Sequence, residues 1–210
     1  MNSALPKVLQ PLAGRPLLGH VIACSQVVGA DDICVVYGHG GDQVRAAFES
    51  FDIRWALQAE QHGTGHAVQQ AMPETPDNNQ VLILFGDVPL LTATTIRDLL
   101  DACGEKKVGV LTVNMPDPTG YGRIIRDNGE VVRNVEERDA SDDEKAITEI
   151  NSGVMCCPAS KLKDWLSRLK SDNSQGEYYL TDIIGMAVED GVTVLGISTE
   201  SQVEVMGIND

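Results

Sequence analysis

Asp87 lies in the stretch of this chain with the clearest capacity for chemistry, Val81–Pro89, which reads V-L-I-L-F-G-D-V-P. Five apolar residues in a row, Val81 to Phe85, leave no polar face, so the run predicts a strand covered on both sides, as in the parallel sheets of α/β proteins. In such sheets ligands gather beyond the carboxyl ends of the strands. A carboxylate delivered there on a rigid strand can hold a metal ion or a substrate hydroxyl, and Gly86 leaves the backbone approachable. From this stretch alone Asp87 is equally suited to opening a turn or capping a helix.

A second group lies upstream. Gly63-Thr64-Gly65 breaks the pattern just before a helical run, Thr64 to Met72. A threonine between glycines at a helix N-terminus offers N–H groups and a hydroxyl to an anion or a sugar oxygen, and Thr64 as an N-cap is compatible with that role. Gln58, one residue past the short strand Arg54–Leu57, can read a base edge. Lys7 is the lone cation of the opening segment, and most such lysines are simply solvated. Gly38-His39-Gly40-Gly41 resembles a dinucleotide fingerprint only superficially, because the third glycine of G-x-G-x-x-G would fall on Gln43; it reads as a strand-to-helix turn. The chain has no nucleophile elbow, H-E-x-x-H or Walker loop.

The elements that must position these residues alternate. Helix Arg15–Val28 is followed by strand Ile33–Tyr37, helix Gln43–Ser50, strand Arg54–Leu57, helix Thr64–Met72, the organising strand, helix Thr92–Cys103 and strand Lys107–Val113. This order, with short connections, predicts a doubly wound, mainly parallel α/β sheet. An opening on the approach to a helix is unusual for that class and suggests a missing first unit. The second part changes character. Asp127-Asn128-Gly129-Glu130 between two apolar segments is a hairpin signal, and Ser141–Lys145 reads as a solvated helix start. A strand at Ile150–Cys157, a helix at Ser160–Leu169, a helix running to about Asp190 and a late strand at Val192–Ile197 complete the chain.

Composition sets outer bounds. The 210 residues are 42% hydrophobic and 22% charged, ordinary for a soluble domain. A net charge of −15 disfavours nucleic acid and anionic membranes as partners. No apolar run is long enough to span a bilayer, and the N-terminus lacks the apolar core of a signal peptide. Five cysteines, an odd number without C-x-x-C spacing, point to reduced thiols in a cytoplasm.

Seven segments in order carry a resemblance: Leu5–Leu9, Gln58–Ala67, Phe85–Leu90, Pro118–Arg123, Val135-Glu136, Ile150–Gly153 and Gly176–Asp182. Together they resemble the N-acetylglucosamine-1-phosphate uridyltransferase half of the bacterial bifunctional enzymes that make UDP-N-acetylglucosamine, over essentially the whole chain. The resemblance implies a Rossmann-like nucleotidyltransferase sheet with an inserted antiparallel hairpin region, forming a single domain over 1–210. It implies Mg²⁺-dependent conversion of UTP and N-acetylglucosamine 1-phosphate to UDP-N-acetylglucosamine and pyrophosphate, for cell-wall and lipopolysaccharide precursors.

Residue by residue, it implies Asp87 and Asn209 as magnesium ligands and Lys7 on nucleotide phosphate. Gln58, Gly63 and Thr64 match contacts to uracil and diphosphate-sugar, and Phe85 and Gly86 line the nucleotide. Gly122, Glu136 and Asn151 match the amino-sugar positions, with Tyr179 and Thr181 behind them. The family opens with a strand and a glycine-rich loop that brings an arginine to the triphosphate, and neither is present here. The acetyltransferase half, a β-helix that builds the family's trimer, is also absent, which implies a monomer without acetyl transfer. Two alternatives stay open: a sugar-nucleotide-binding fragment without turnover, and a related nucleotidyltransferase for another sugar phosphate. A GT-A glycosyltransferase fits less well, since Asp87-Val88-Pro89 is not an Asp-x-Asp motif.

Overall fold

The structure, a computed structural model, describes residues 5–38 and 40–208. A 3₁₀ turn at Lys7–Leu9 leads into a tight hairpin of β1 (Pro11–Leu12) and β2 (Arg15–Pro16) and then α1 (Leu17–Val27). The alternating part follows as β3 (Cys34–Tyr37), α2 (Gly41–Ala47), β4 (Arg54–Leu57), α3 (Thr64–Ala71), β5 (Gln80–Ile83), α4 (Ala93–Cys103) and β6 (Val108–Asn114). Every element expected there forms, with ends moved by a few residues. The hairpin β7 (Gly122–Asp127) and β8 (Glu130–Val135) turns through Asn128 and Gly129, both at positive φ, as a type I′ turn requires. Short α5 (Asp142–Lys145) carries a capping box between Ser141 and Glu144. It is followed by β9 (Glu149–Pro158), α6 (Ala159–Arg168), α7 (Ile183–Glu189), β10 (Val194–Thr199) and α8 (Gln202–Val205).

The main sheet is mixed. β9 is its spine: it pairs antiparallel with β6 on one side and with β5 and β7 on the other. β10 lies parallel to β6, and β8 closes the far side against β7. Strands β5, β6, β7 and β10 therefore share one direction, as an α/β chain should, while β8 and β9 oppose it. The alternating order predicts that strands of like direction lie side by side, but β9, which comes later in the chain than either, separates β5 from β6. A crossover helix fixes the direction of the strands it joins, not their adjacency.

A second difference concerns β5. Its two faces are apolar and both are covered. Val81 and Ile83 pack toward α3, α6 and α7, and Leu82 and Leu84 pack toward α1 and α4. Yet residues 80–85 are all only partly buried, in contrast to the fully buried run 108–113 of β6. The exposure comes from the edge, because among the described residues β5 pairs with β9 alone. The parallel pair β3–β4 forms a separate ladder with its own small core on α1 and α2.

Candidate active site

The carboxyl end of β5 delivers Phe85, Gly86 and Asp87 to one end of the sheet. Asp87 is not in the core: its side chain is 28% exposed, and Lys7 Nζ donates to Oδ2 at 2.6 Å from a side chain 41% exposed. The 3₁₀ turn after Pro6 brings the lysine there. The late chain reaches the same place, where the Ile208 N–H donates to the Asp87 carbonyl at 3.0 Å. A Cβ on Gly207 would lie 3.5 Å from Asp87 Oδ2. Asn209, expected as a metal ligand, lies outside the described residues.

The donor set suits a magnesium ion. Mg²⁺ takes hard oxygen ligands, is held by one or two carboxylates, and fills its octahedron with water and substrate phosphate. Asp87 offers such a carboxylate, partly open to solvent and already balanced by a cation. Among the described residues there is no group of three or more His, Cys, Asp or Glu side chains to form an all-protein cage.

Beside this end stands the N-terminus of α3. The N-cap is Gly63 rather than Thr64, at φ +106° and ψ 177°. Thr64 is the first helical residue, and its hydroxyl accepts from the Leu180 N–H at 3.2 Å. Gln58 turns its amide inward, where Nε2 donates to the Gly63 carbonyl at 3.0 Å and bonds His66 Nδ1 at 3.1 Å. In this structure Gln58 thus fixes the Gly63 turn. The segment before α7 docks onto this turn: the Gly65 N–H donates to the Tyr178 carbonyl, and the Tyr178 N–H to the His62 carbonyl, both at 2.8 Å.

The sugar-side candidates form a second, contiguous cluster. Register places Gly122 opposite Asn151. Asn151 is 5% exposed; its Oδ1 accepts from the Gly153 N–H at 2.8 Å, while its Nδ2 has no partner among the described residues. A buried amide donor left unpaired costs about 1 to 3 kcal/mol, and that cost is recovered when an acceptor arrives. Glu136 Oε1 accepts from Asn134 Nδ2 at 2.8 Å and from the Thr181 hydroxyl at 2.7 Å. Tyr179 stands one layer back, its hydroxyl accepting from Gln175 at 2.8 Å and donating to Asp139 at 3.3 Å. The Phe85 ring lies over Gly153, where any Cβ would come within 2.3 Å, and so joins the strand end to the Asn151 turn. Beneath the loop before β7, buried Arg123 pairs with Glu137 at 2.6 Å and holds the Glu137 carboxyl below its usual range.

Three participants escape sequence reasoning. Asn134 bonds Glu136 and fills the space a side chain at Gly122 would need, with Oδ1 2.6 Å from a Cβ placed there. Its only signal is an uncharged polar residue between Arg133 and Val135 in a strand. Asp139 and Asp182 are the others. Burial, then the charges of Glu136 and Asp139, raise the Asp182 carboxyl from 3.8 to about 6. The folded protein therefore holds a proton there that the unfolded chain releases near pH 4, so stability falls as pH rises from about 4 to 6 and stays lower above it. Asp182→Asn is expected to stabilise the protein by about 1 to 2 kcal/mol at pH 7.5, after allowance for solvent screening, and to change it little at pH 4. Thermal melts at the two pH values check the crossover.

Comparison with known proteins bears on the family and the fold. The MobA-like NTP transferase domain matches residues 1–174. "Bifunctional protein GlmU" of Aromatoleum aromaticum is 54% identical over 210 residues, all of this chain and 46% of that protein. The proteins of the same name from Janthinobacterium sp. and Acinetobacter baumannii are 52% and 50% identical with the same coverage. The chain thus spans about half the length of the curated relatives it matches. Among solved structures, a nucleotidyl transferase from Methanothermobacter thermautotroptrophicus superposes with a TM-score of 0.66 at 18% identity, over 98% of this chain and 80% of that one, and supports the fold. With a strand-end carboxylate paired to a lysine, a helix N-terminus beside it and a family match over most of its length, the chain belongs to the MobA-like NTP transferase domain family.

Proposed function

We propose that the chain is a uridylyltransferase unit that joins UTP and N-acetylglucosamine 1-phosphate to give UDP-N-acetylglucosamine and pyrophosphate. The observation that supports this most is the pairing of two unlike clusters at one end of the sheet: Lys7 and Asp87 for phosphate, and Glu136, Asn151 and Thr181 for sugar hydroxyl and amide groups. The curated relatives at 50 to 54% identity belong to one bifunctional family, which agrees with it.

A phosphate oxygen of the sugar phosphate attacks the α-phosphorus of UTP; the bond from that phosphorus to the β-phosphate bridging oxygen breaks, and pyrophosphate leaves with the electron pair. Both reactants are anions, so the site must lower their repulsion and hold them in line. Lys7 supplies positive charge from the protein side. Asp87, with Asn209, would hold Mg²⁺, which when bound neutralises phosphate charge and stabilises the leaving group. The Asn151 Nδ2 donor and the Glu136 carboxylate orient the sugar, and the Gly63–Thr64 turn presents N–H groups to the nucleotide. No covalent nucleophile is needed.

We also place the reaction in the cytoplasm, with the whole chain acting as one monomeric unit. Pyrophosphate release with UTP against a panel of sugar 1-phosphates, beside calorimetry with UDP-N-acetylglucosamine, tests the reading. Turnover confined to UTP and the N-acetylated sugar is expected. Binding without turnover would mark a non-catalytic fragment, and turnover with another sugar phosphate would change the substrate.

A further inference from the structure

His66 is the third residue of α3, and the reaction proposed above gives it no task. Its ring lies against the Gln58 amide, with Nδ1 3.1 Å from Gln58 Nε2. The other contact of that nitrogen is the Gly63 carbonyl, at 3.0 Å. Three pieces of backbone therefore meet at one atom: the residue after β4, the N-cap of α3 and the first turn of α3. Rings on two further segments face the imidazole. The His62 ring stands edge-on to it, centroids 5.1 Å apart, and the Tyr178 ring lies 6.5 Å away on the segment before α7.

Hydrogen-bond chemistry fixes the protons of this cluster. A carbonyl oxygen only accepts, so the Gln58 atom facing Gly63 is the amide nitrogen and not the oxygen. That nitrogen carries two hydrogens. One goes to Gly63, and the other is directed at His66 Nδ1, which must then be a bare acceptor. The imidazole proton is left on Nε2. With both N–H bonds committed, the amide has one free group, Oε1, and among the described residues nothing donates to it. An unconstrained glutamine can turn its amide over and offer either polarity. Here that turn would set an oxygen against the Gly63 carbonyl and against the bare nitrogen of His66, two unfavourable contacts at once.

We infer that His66 is a positioning residue: it locks the Gln58 amide with its oxygen as the free group, and so makes the site select a pyrimidine whose ring nitrogen carries a hydrogen. Uracil has that N–H, whereas cytosine has a bare nitrogen in the same place, which would set acceptor against acceptor. A site built for a donor strongly rejects an analogue that lacks it. The selection rests on the function proposed above, which sets Gln58 against the base; the lock itself does not.

Calorimetry of the full chain with UTP and with CTP, each with Mg²⁺, measures the selection. The unaltered chain should bind UTP at least ~10-fold more tightly than CTP. His66→Leu removes the acceptor and should reduce that ratio by about 5-fold or more, mostly by weakening UTP. His66→Asn places an amide oxygen where Nδ1 stands and should restore the ratio. A merely structural histidine would weaken both nucleotides alike and would not distinguish the two replacements. An unchanged ratio in His66→Leu, or the same reduced ratio in both variants, would overturn the inference and leave the proposed function standing. Equal binding of UTP and CTP by the unaltered chain would overturn the selection together with the proposed function. Where the variants fold poorly, the unaltered chain still decides the lock. Long-range ¹H–¹⁵N NMR spectra at about pH 8, where histidines are mostly neutral, should show the His66 proton on Nε2 alone. A proton on Nδ1 would overturn the inference.

Discussion

Asp87→Ala is expected to lower pyrophosphate release by about 10³-fold or more while leaving the protein folded. The two halves of that expectation have separate physical origins. Asp87 contributes little to stability: its side chain is 28% exposed and its ion pair with Lys7 is solvent-accessible. Exposed pairs of this kind contribute about 0 to 1 kcal/mol, so the melting temperature should move by no more than about 4 °C. On the proposed function its contribution to the reaction is larger, because a metal held by carboxylate oxygen would act where charge develops on the leaving pyrophosphate. Removing one such electrostatic contact typically costs 10²- to 10³-fold, about 3 to 4 kcal/mol, and here the loss extends to the ion itself. UTP affinity measured with and without Mg²⁺ separates this from a packing defect. The unaltered chain should bind more tightly with the ion, and Asp87→Ala should show the same affinity in both buffers. A variant that keeps its Mg²⁺ enhancement would remove Asp87 from the metal role.

Much of this arrangement is legible in the sequence, and the exceptions share a cause. Element types follow from local signals: the apolar run ending at Gly86-Asp87, the Asn128-Gly129 turn, and the Ser141 and Glu144 capping box at the start of an acidic segment. Strand neighbours do not follow, because β9 reaches its place between β5 and β6 only through long-range pairing. Residue patterns along β9 show an apolar strand but not its partners. The same holds within the site. Glu136 and Thr181 are 45 positions apart and meet at 2.7 Å, a pairing that the family resemblance implies and local pattern does not. Asn134 and Asp182 are invisible to both approaches: one is a polar residue in a hairpin strand, and the other follows a threonine already assigned. Gln58 shows the converse. Its position one residue past a strand is legible, but its use as a brace for Gly63 depends on where that carbonyl points.

That brace leads to the largest expected effect on stability, at Gly63. Gly63→Ala is expected to destabilise the protein by about 2 to 6 kcal/mol, through two independent costs. The backbone at φ +106° and ψ 177° lies in a region that only glycine occupies readily, and holding a side-chain-bearing residue there costs about 1 to 3 kcal/mol. The added Cβ would also stand 2.7 Å from the Tyr178 carbonyl oxygen and 3.0 Å from the Tyr178 nitrogen. Those are backbone atoms that cannot rotate away, so either the Gly63 turn or the segment before α7 must move, at about 1 to 3 kcal/mol more. Movement there reaches the site, since Gly65 donates to the Tyr178 carbonyl and Thr64 accepts from Leu180. Sugar-nucleotide binding should weaken together with stability. Gly176 supplies the comparison: it too has a positive φ, +67°, but nothing lies within 4 Å of a Cβ placed on it. Gly176→Ala therefore carries only the left-handed cost of about 1 to 2 kcal/mol. Urea denaturation of both variants, with UDP-N-acetylglucosamine affinity measured on each, reads the difference. Equal losses in the two would mean that the contact between the Gly63 turn and Tyr178 does not constrain the site.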